Sequence, residues 1–68
     1  MTEKPHGQRI GAYRNEWRRR TVYIYDHPTD PARVITQGVP FDSDEHIWTD
    51  EPRDLYRRYI GTDYQVYE

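Results

Sequence analysis

Between Trp17 and Asp26 the side chains alternate, placing Val22 and Ile24 on one side of an extended chain and Trp17, Arg19, Thr21, Tyr23 and Tyr25 on the other. This spacing predicts a strand. Just before it, Ile10, Tyr13, Arg14 and Trp17 recur at helical intervals over residues 10 to 18, while Gly11 and Asn15 oppose a helix. Helix and strand both stay open there. Asp26-His27-Pro28-Thr29-Asp30-Pro31 removes backbone donors and supplies turn-forming carboxylates, so a loop ends the first strand. The β-branched run Arg33-Val34-Ile35-Thr36-Gln37 predicts a second strand that closes a hairpin, with Gly38 admitting a bulge or bend before Val39-Pro40.

Asp42 followed by Glu45 resembles a capping box, yet Ile47-Trp48-Thr49 also suits a strand, and the reading favours a strand over His46 to Thr49. Thr49 or Asp50 then caps a predicted helix near residues 51 to 60, with Glu51 and Pro52 in its first turn and Gly61 just past its end. Asp54 precedes Arg57 and Arg58 by three and four residues, within side-chain reach. Leu55, Tyr56, Tyr59 and Ile60 form its apolar face, and the alternation around Tyr64 and Val66 predicts a last strand. The expected fold class is α+β: a small antiparallel sheet of three or four strands with one helix near the C-terminal end. Residues 1 to 9, with Pro5, Gly7 and no large apolar side chain after Met1, read as a flexible tail before a single domain over 10 to 68.

Composition narrows the function classes. Sixty-eight residues make one domain, and only twenty are large apolar side chains, seven of them Tyr. Such a chain cannot wall off the dry reaction chamber that general acid and base catalysis needs. Without cysteine there is no disulfide framework, thiolate nucleophile or Cys-based zinc site. Val22-Tyr23-Ile24-Tyr25, the longest apolar run, is too short to cross a bilayer, and the first residues lack an apolar signal core. A soluble, cytoplasmic protein with no membrane partner is therefore expected.

Ser43, the one serine, lies near His46 but has no glycine-flanked elbow around it, so nucleophilic catalysis is not expected and the chain reads as a non-enzyme. Asp42, Asp44, Glu45 and His46 cluster in sequence, and His27, Asp26 and Asp30 could approach them. Their spacing matches no established metal site, because Ile47 stands where a calcium loop needs glycine and no H-x-x-x-H pair occurs. Neither metal nor cofactor is expected.

Charge is unevenly divided. The net charge is −2, made of +4 over residues 1 to 20 and −6 over the rest. Tyr, Trp and Arg, the residue types that dominate binding hot spots, make up 18 of the 68 positions. The expected function is non-catalytic protein binding, as a stoichiometric modulator, inhibitor or adaptor. Trp17, Tyr23, Tyr25 and Trp48 would dock, and Asp42, Asp44 and Glu45 would steer the surface to a basic partner. Homodimerisation through the same face is a close variant. The alternative is a small nucleic-acid-binding protein using Tyr13, Arg14, Arg18, Arg19 and Arg20, since guanidinium groups contact phosphate and aromatic faces stack on bases. The acidic body opposes that alternative. A third reading makes Asp42, Asp44, Glu45, Asp50, Glu51 and Asp54 an acidic mimic of nucleic acid.

Overall fold

The computed structural model describes residues 3–67, which form one antiparallel sheet with a single short helical cover. The strands are β1 (Arg9–Asn15), β2 (Arg20–Asp26), β3 (Arg33–Pro40), β4 (Ile47–Pro52) and β5 (Gln65–Val66), in the order β4-β3-β2-β1-β5. A 3-10 helix, Arg53–Tyr59, connects β4 to β5. The protein is mostly sheet, with more strands than the three or four expected and a 3-10 piece in place of an α-helix.

Register decides which side chains share a face. Tyr13 opposes Val22, Ile24 opposes Thr36 and Val34 opposes Glu51, so these residues lie on one side of the sheet. Tyr13, Val22, Ile24, Val34 and Tyr59 form the buried cluster, with Ile10, Tyr56 and Tyr64 packed against it. Aliphatic side chains are scarce, so tyrosine rings do the covering. Tyr59 stacks on Tyr13 at 5.8 Å between centroids, Tyr56 meets Tyr13 edge-on at 5.7 Å and Tyr64 meets Tyr59 edge-on at 4.7 Å.

The 3-10 geometry explains why those tyrosines reach the sheet. Three residues per turn bring residues i and i+3 into line, so Arg53, Tyr56 and Tyr59 share one side of the helix. Arg53 Nη2 donates to Asp26 Oδ1 at 2.7 Å and its Nε to the Pro31 carbonyl at 2.8 Å, while Tyr56 donates to the Ile10 carbonyl. Ile60, one residue beyond, is exposed instead of joining the apolar face. The expected cap is also absent. Thr49 shares a hydrogen bond with Thr36 across the strands, Asp50 pairs with Arg33, and no side chain caps the helix at Pro52. Gly61 lies just past the helix at φ +78°, a conformation that suits glycine.

Residues 10 to 18 resolve into most of β1 and the turn that follows it. Asn15 is buried and its Oδ1 accepts the Arg18 N–H at 2.8 Å, which reverses the chain before β2 begins at Arg20. Trp17 and Arg19 thus sit in the turn and not on the alternating strand, and Arg19 takes a positive φ of 55°. Gly38 pairs in regular register between Val22 and Ile47, so the expected bulge is not there. The sheet's irregularity falls between Arg9 and Gly11. Before β1, Gly7 N–H donates to the Asp26 carbonyl at 2.8 Å and Asp26 N–H to that of Gln8 at 2.9 Å, giving the end of the expected tail specific partners. Met1 and Thr2 lie outside the described residues. Among the described residues, no helix is long and apolar enough to cross a membrane.

Gly11 lies directly under Tyr56: a Cβ there would stand 3.0 Å from the Tyr56 hydroxyl oxygen and 3.2 Å from Tyr13 Cε2. Gly11→Val is expected to cost about 1–3 kcal/mol in urea denaturation by pushing the tyrosine cover off the sheet. Burial, reinforced by the neighbouring Tyr56, pushes the Tyr13 hydroxyl up from 10.0 to about 12. Because the folded value lies above the unfolded one, its stabilising share is complete below pH 10 and is lost as pH rises through about 12. Alkaline denaturation should show this loss, and Tyr13→Phe should flatten it.

Candidate functional site

The other side of the sheet carries no helix or strand among the described residues. Register places Ala12 and Arg14 of β1, Tyr23 and Tyr25 of β2, Ile35 and Gln37 of β3, and Trp48 of β4 on it. Ala12 and Ile35 are buried, and the aromatic rings around them are half-buried. Tyr25 and Trp48 meet at 5.7 Å between centroids, and Tyr23 touches Tyr67 edge-on at 6.4 Å. Arginines lie over these rings: Arg9 over Tyr23 at 5.0 Å, and Arg14 over Phe41 at 4.5 Å and Tyr67 at 5.7 Å.

Hydrogen bonds hold the patch in one arrangement. Tyr25 Oη donates to Gln37 Oε1 at 2.8 Å, and Gln37 Nε2 lies 2.7 Å from His46 Nδ1. His6 closes one corner, stacked on Trp48 at 5.3 Å and tilted against Tyr25 at 4.1 Å. Its Nδ1 faces the Gly7 carbonyl at 2.8 Å and its Nε2 faces Glu3 Oε2 at 2.6 Å. Both contacts are acceptors, so both ring nitrogens must donate, and the imidazolium form fits. The Gly7 carbonyl first, and then Glu3 against the opposing effect of burial, raises the His6 pKa above 6.5.

The residues expected to dock fall into two groups. Tyr23, Tyr25 and Trp48 lie together on the helix-free face. Trp17 stands apart, 84 % exposed, at the tip of the β1–β2 turn, beside a cleft it lines with Glu16, Thr62, Asp63 and Gln65. Asp42, Asp44 and Glu45 occupy the connection from β3 to β4. Arg19 pairs with Asp42 at 2.6 Å and holds its carboxyl below the usual carboxylate range, whereas Asp44 and Glu45 make no ion pair among the described residues. Asp50 is likewise lowered, by Arg33 and then His27. Two acids of the proposed nucleic-acid mimic are thus locally neutralised.

The arginine and aromatic segment disperses. Tyr13 is buried under Tyr59, Arg14 lies on the helix-free face with Nε 3.1 Å from Glu16, and Arg19 is tied to Asp42. Arg18 and Arg20 instead line a cleft toward the helix side. Gln37, His46, His6, Arg9 and Tyr67 belong to the aromatic face but were missed in sequence. Extending the Tyr23 and Tyr25 alternation across the hairpin reaches Gln37, whereas no local pattern marks His6 or Tyr67. The acids of residues 42 to 45 and His46 do not converge with His27, whose Nδ1 accepts the Asp30 N–H at 2.9 Å. Among the described residues, no group of three or more His, Asp or Glu side chains stands where it could hold a metal ion. Comparison with protein-family models, curated proteins and solved structures gives no match.

The His6 contacts generate a pH dependence with a defined sign. A raised folded pKa makes their contribution complete below pH 6.5, with loss as pH rises through the higher folded value. An NMR titration should show the His6 ring and the Trp48 indole signals shifting together above pH 6.5. His6→Ala should abolish the Trp48 component.

Proposed function

We propose that this protein is a non-catalytic binding module that holds another protein against its helix-free sheet face. The observation that carries this reading is the face itself, where Tyr23, Tyr25 and Trp48 form a preorganised, half-buried aromatic patch that no helix or strand of the described residues covers. Rigid aromatic side chains lose little conformational freedom on docking, so contact area converts into affinity at low entropic cost. The molecule is a slab of 33 × 28 × 17 Å, and its broad side offers on the order of 900 Å², comparable with the ~800 Å² per partner of a standard interface.

Charge selects the kind of partner. Asp44 and Glu45 stand without ion pairs immediately before His46 and Trp48, so negative charge borders the patch at this end. A partner surface that sets lysine or arginine beside an apolar patch complements it. A second copy would meet like charge at the same border, which disfavours self-association there. Trp17 supplies a separate apolar anchor on the β1–β2 turn. Its position adds nothing to the core, consistent with a role toward a partner.

Trp48→Ala should weaken a partner recovered by affinity capture by about thirtyfold or more while the protein still melts cooperatively. Asp44→Lys with Glu45→Lys, at exposed positions remote from the core, should slow association and reduce its salt dependence. Unchanged capture by both variants would refute this use of the face. A concentration-dependent dimer lost with Trp48→Ala would instead assign the face to a second copy.

A further inference from the structure

The 3-10 helix covers its side of the sheet incompletely. Two adjoining clefts, about 270 Å³ and about 350 Å³, lie between its C-terminal end and the β1–β2 turn. Both are lined by Arg18, Arg20, Arg58 and Tyr59. The smaller also has Asn15 and Tyr64 on its walls, and the larger runs along the apolar residues Val22 and Ile47. Three arginines from the turn, β2 and the helix thus line one concave place.

Their lack of acidic partners distinguishes them. Arg14, Arg19, Arg33 and Arg53 each meet a carboxylate at 2.6–3.1 Å. Among the described residues, Arg18 and Arg58 meet none, and Arg20 donates from Nε to the Tyr64 hydroxyl at 2.7 Å. Asp63 in the smaller cleft and Glu51 in the larger are the acids on the walls, and neither forms an ion pair with the three. Like charges lining one cleft repel, and an acidic chain has carboxylates to spare for neutralising them. A bound anion relieves that repulsion.

We infer that this cleft binds a small organic phosphate. The phosphate oxygens accept from Arg18, Arg20 and Arg58, and the organic body lies along Val22 and Ile47. Guanidinium groups suit phosphate because each presents several donors in a planar fork. The clefts match the lower range of small-molecule sites, about 300 Å³. A nucleic-acid strand fits less well, since Tyr13 is buried and Arg19 is neutralised, which leaves no continuous basic track beyond the cleft. The site lies on the opposite side of the sheet from the aromatic face and does not depend on how that face is used.

The test is an amide NMR titration of the full chain with adenosine 5′-monophosphate, phenyl phosphate, adenosine and a single-stranded oligonucleotide. Saturable shifts confined to Arg18, Arg20, Arg58 and Tyr59 are expected with at least one of the two phosphate esters, at millimolar concentration or below. Adenosine should bind at least tenfold more weakly than its monophosphate. Arg18→Ala and Arg58→Ala, both at exposed positions, should each weaken ester binding about ten- to hundredfold with an unchanged melting temperature. Trp48→Ala should leave it unaltered. Absence of saturable shifts with either ester, equal binding of adenosine, or tighter binding that grows with oligonucleotide length would each overturn the assignment.

Discussion

The packing of Tyr59 on Tyr13 is the contact on which the fold depends. The sheet has few aliphatic residues to bury, and the only helical element among the described residues is seven residues long. Tyr59 reaches across from that element, seals Val22 and Ile24 from water, and is flanked edge-on by Tyr64. Tyrosine suits the task because its ring supplies area while its hydroxyl can end at a polar partner or at the surface. Tyr56 shows this directly, with its ring over Gly11 and its hydroxyl on the Ile10 carbonyl.

A cover this small has consequences for the rest of the surface. One side of the sheet is closed by the helix, and its rim opens into the arginine-lined clefts where the helix stops short. The other side closes on itself through ring contacts, overlying arginines and the Tyr25–Gln37–His46 chain of hydrogen bonds. Among the described residues, the clefts on the helix side open to solvent. Both proposed binding surfaces therefore follow from the same shortage of interior that limits the fold.

The sequence made some of this legible and hid the rest for identifiable reasons. Val22, Ile24, Tyr23 and Tyr25 declare β2 because both faces of that strand carry large side chains with contrasting roles. β1 lacks that contrast, because Gly11 must be small beneath Tyr56 and Asn15 is a buried polar turn former, which leaves Tyr13 as the main apolar marker of its helix side. Thr49-Asp50-Glu51-Pro52 reads equally as a helix start or as an edge strand, and cross-strand partners at Thr36 and Arg33 decide for the strand. The aromatic face was visible in Tyr23 and Tyr25 and was placed together with Trp48 by β3 standing between them. Arg58 could not be joined to Arg18 and Arg20 from sequence, since the turn and the helix meet only through the fold.

The strand order leaves β4 at one rim, with no further strand beyond it among the described residues. Such a rim is where identical chains add side by side into ribbons and fibrils. Here Asp50 and Glu51 stand along it, with Pro52 at its end lacking an N–H to donate. A second rim laid against this one would crowd carboxylates and meet a missing donor, so the same residues that end the sheet also keep it from growing.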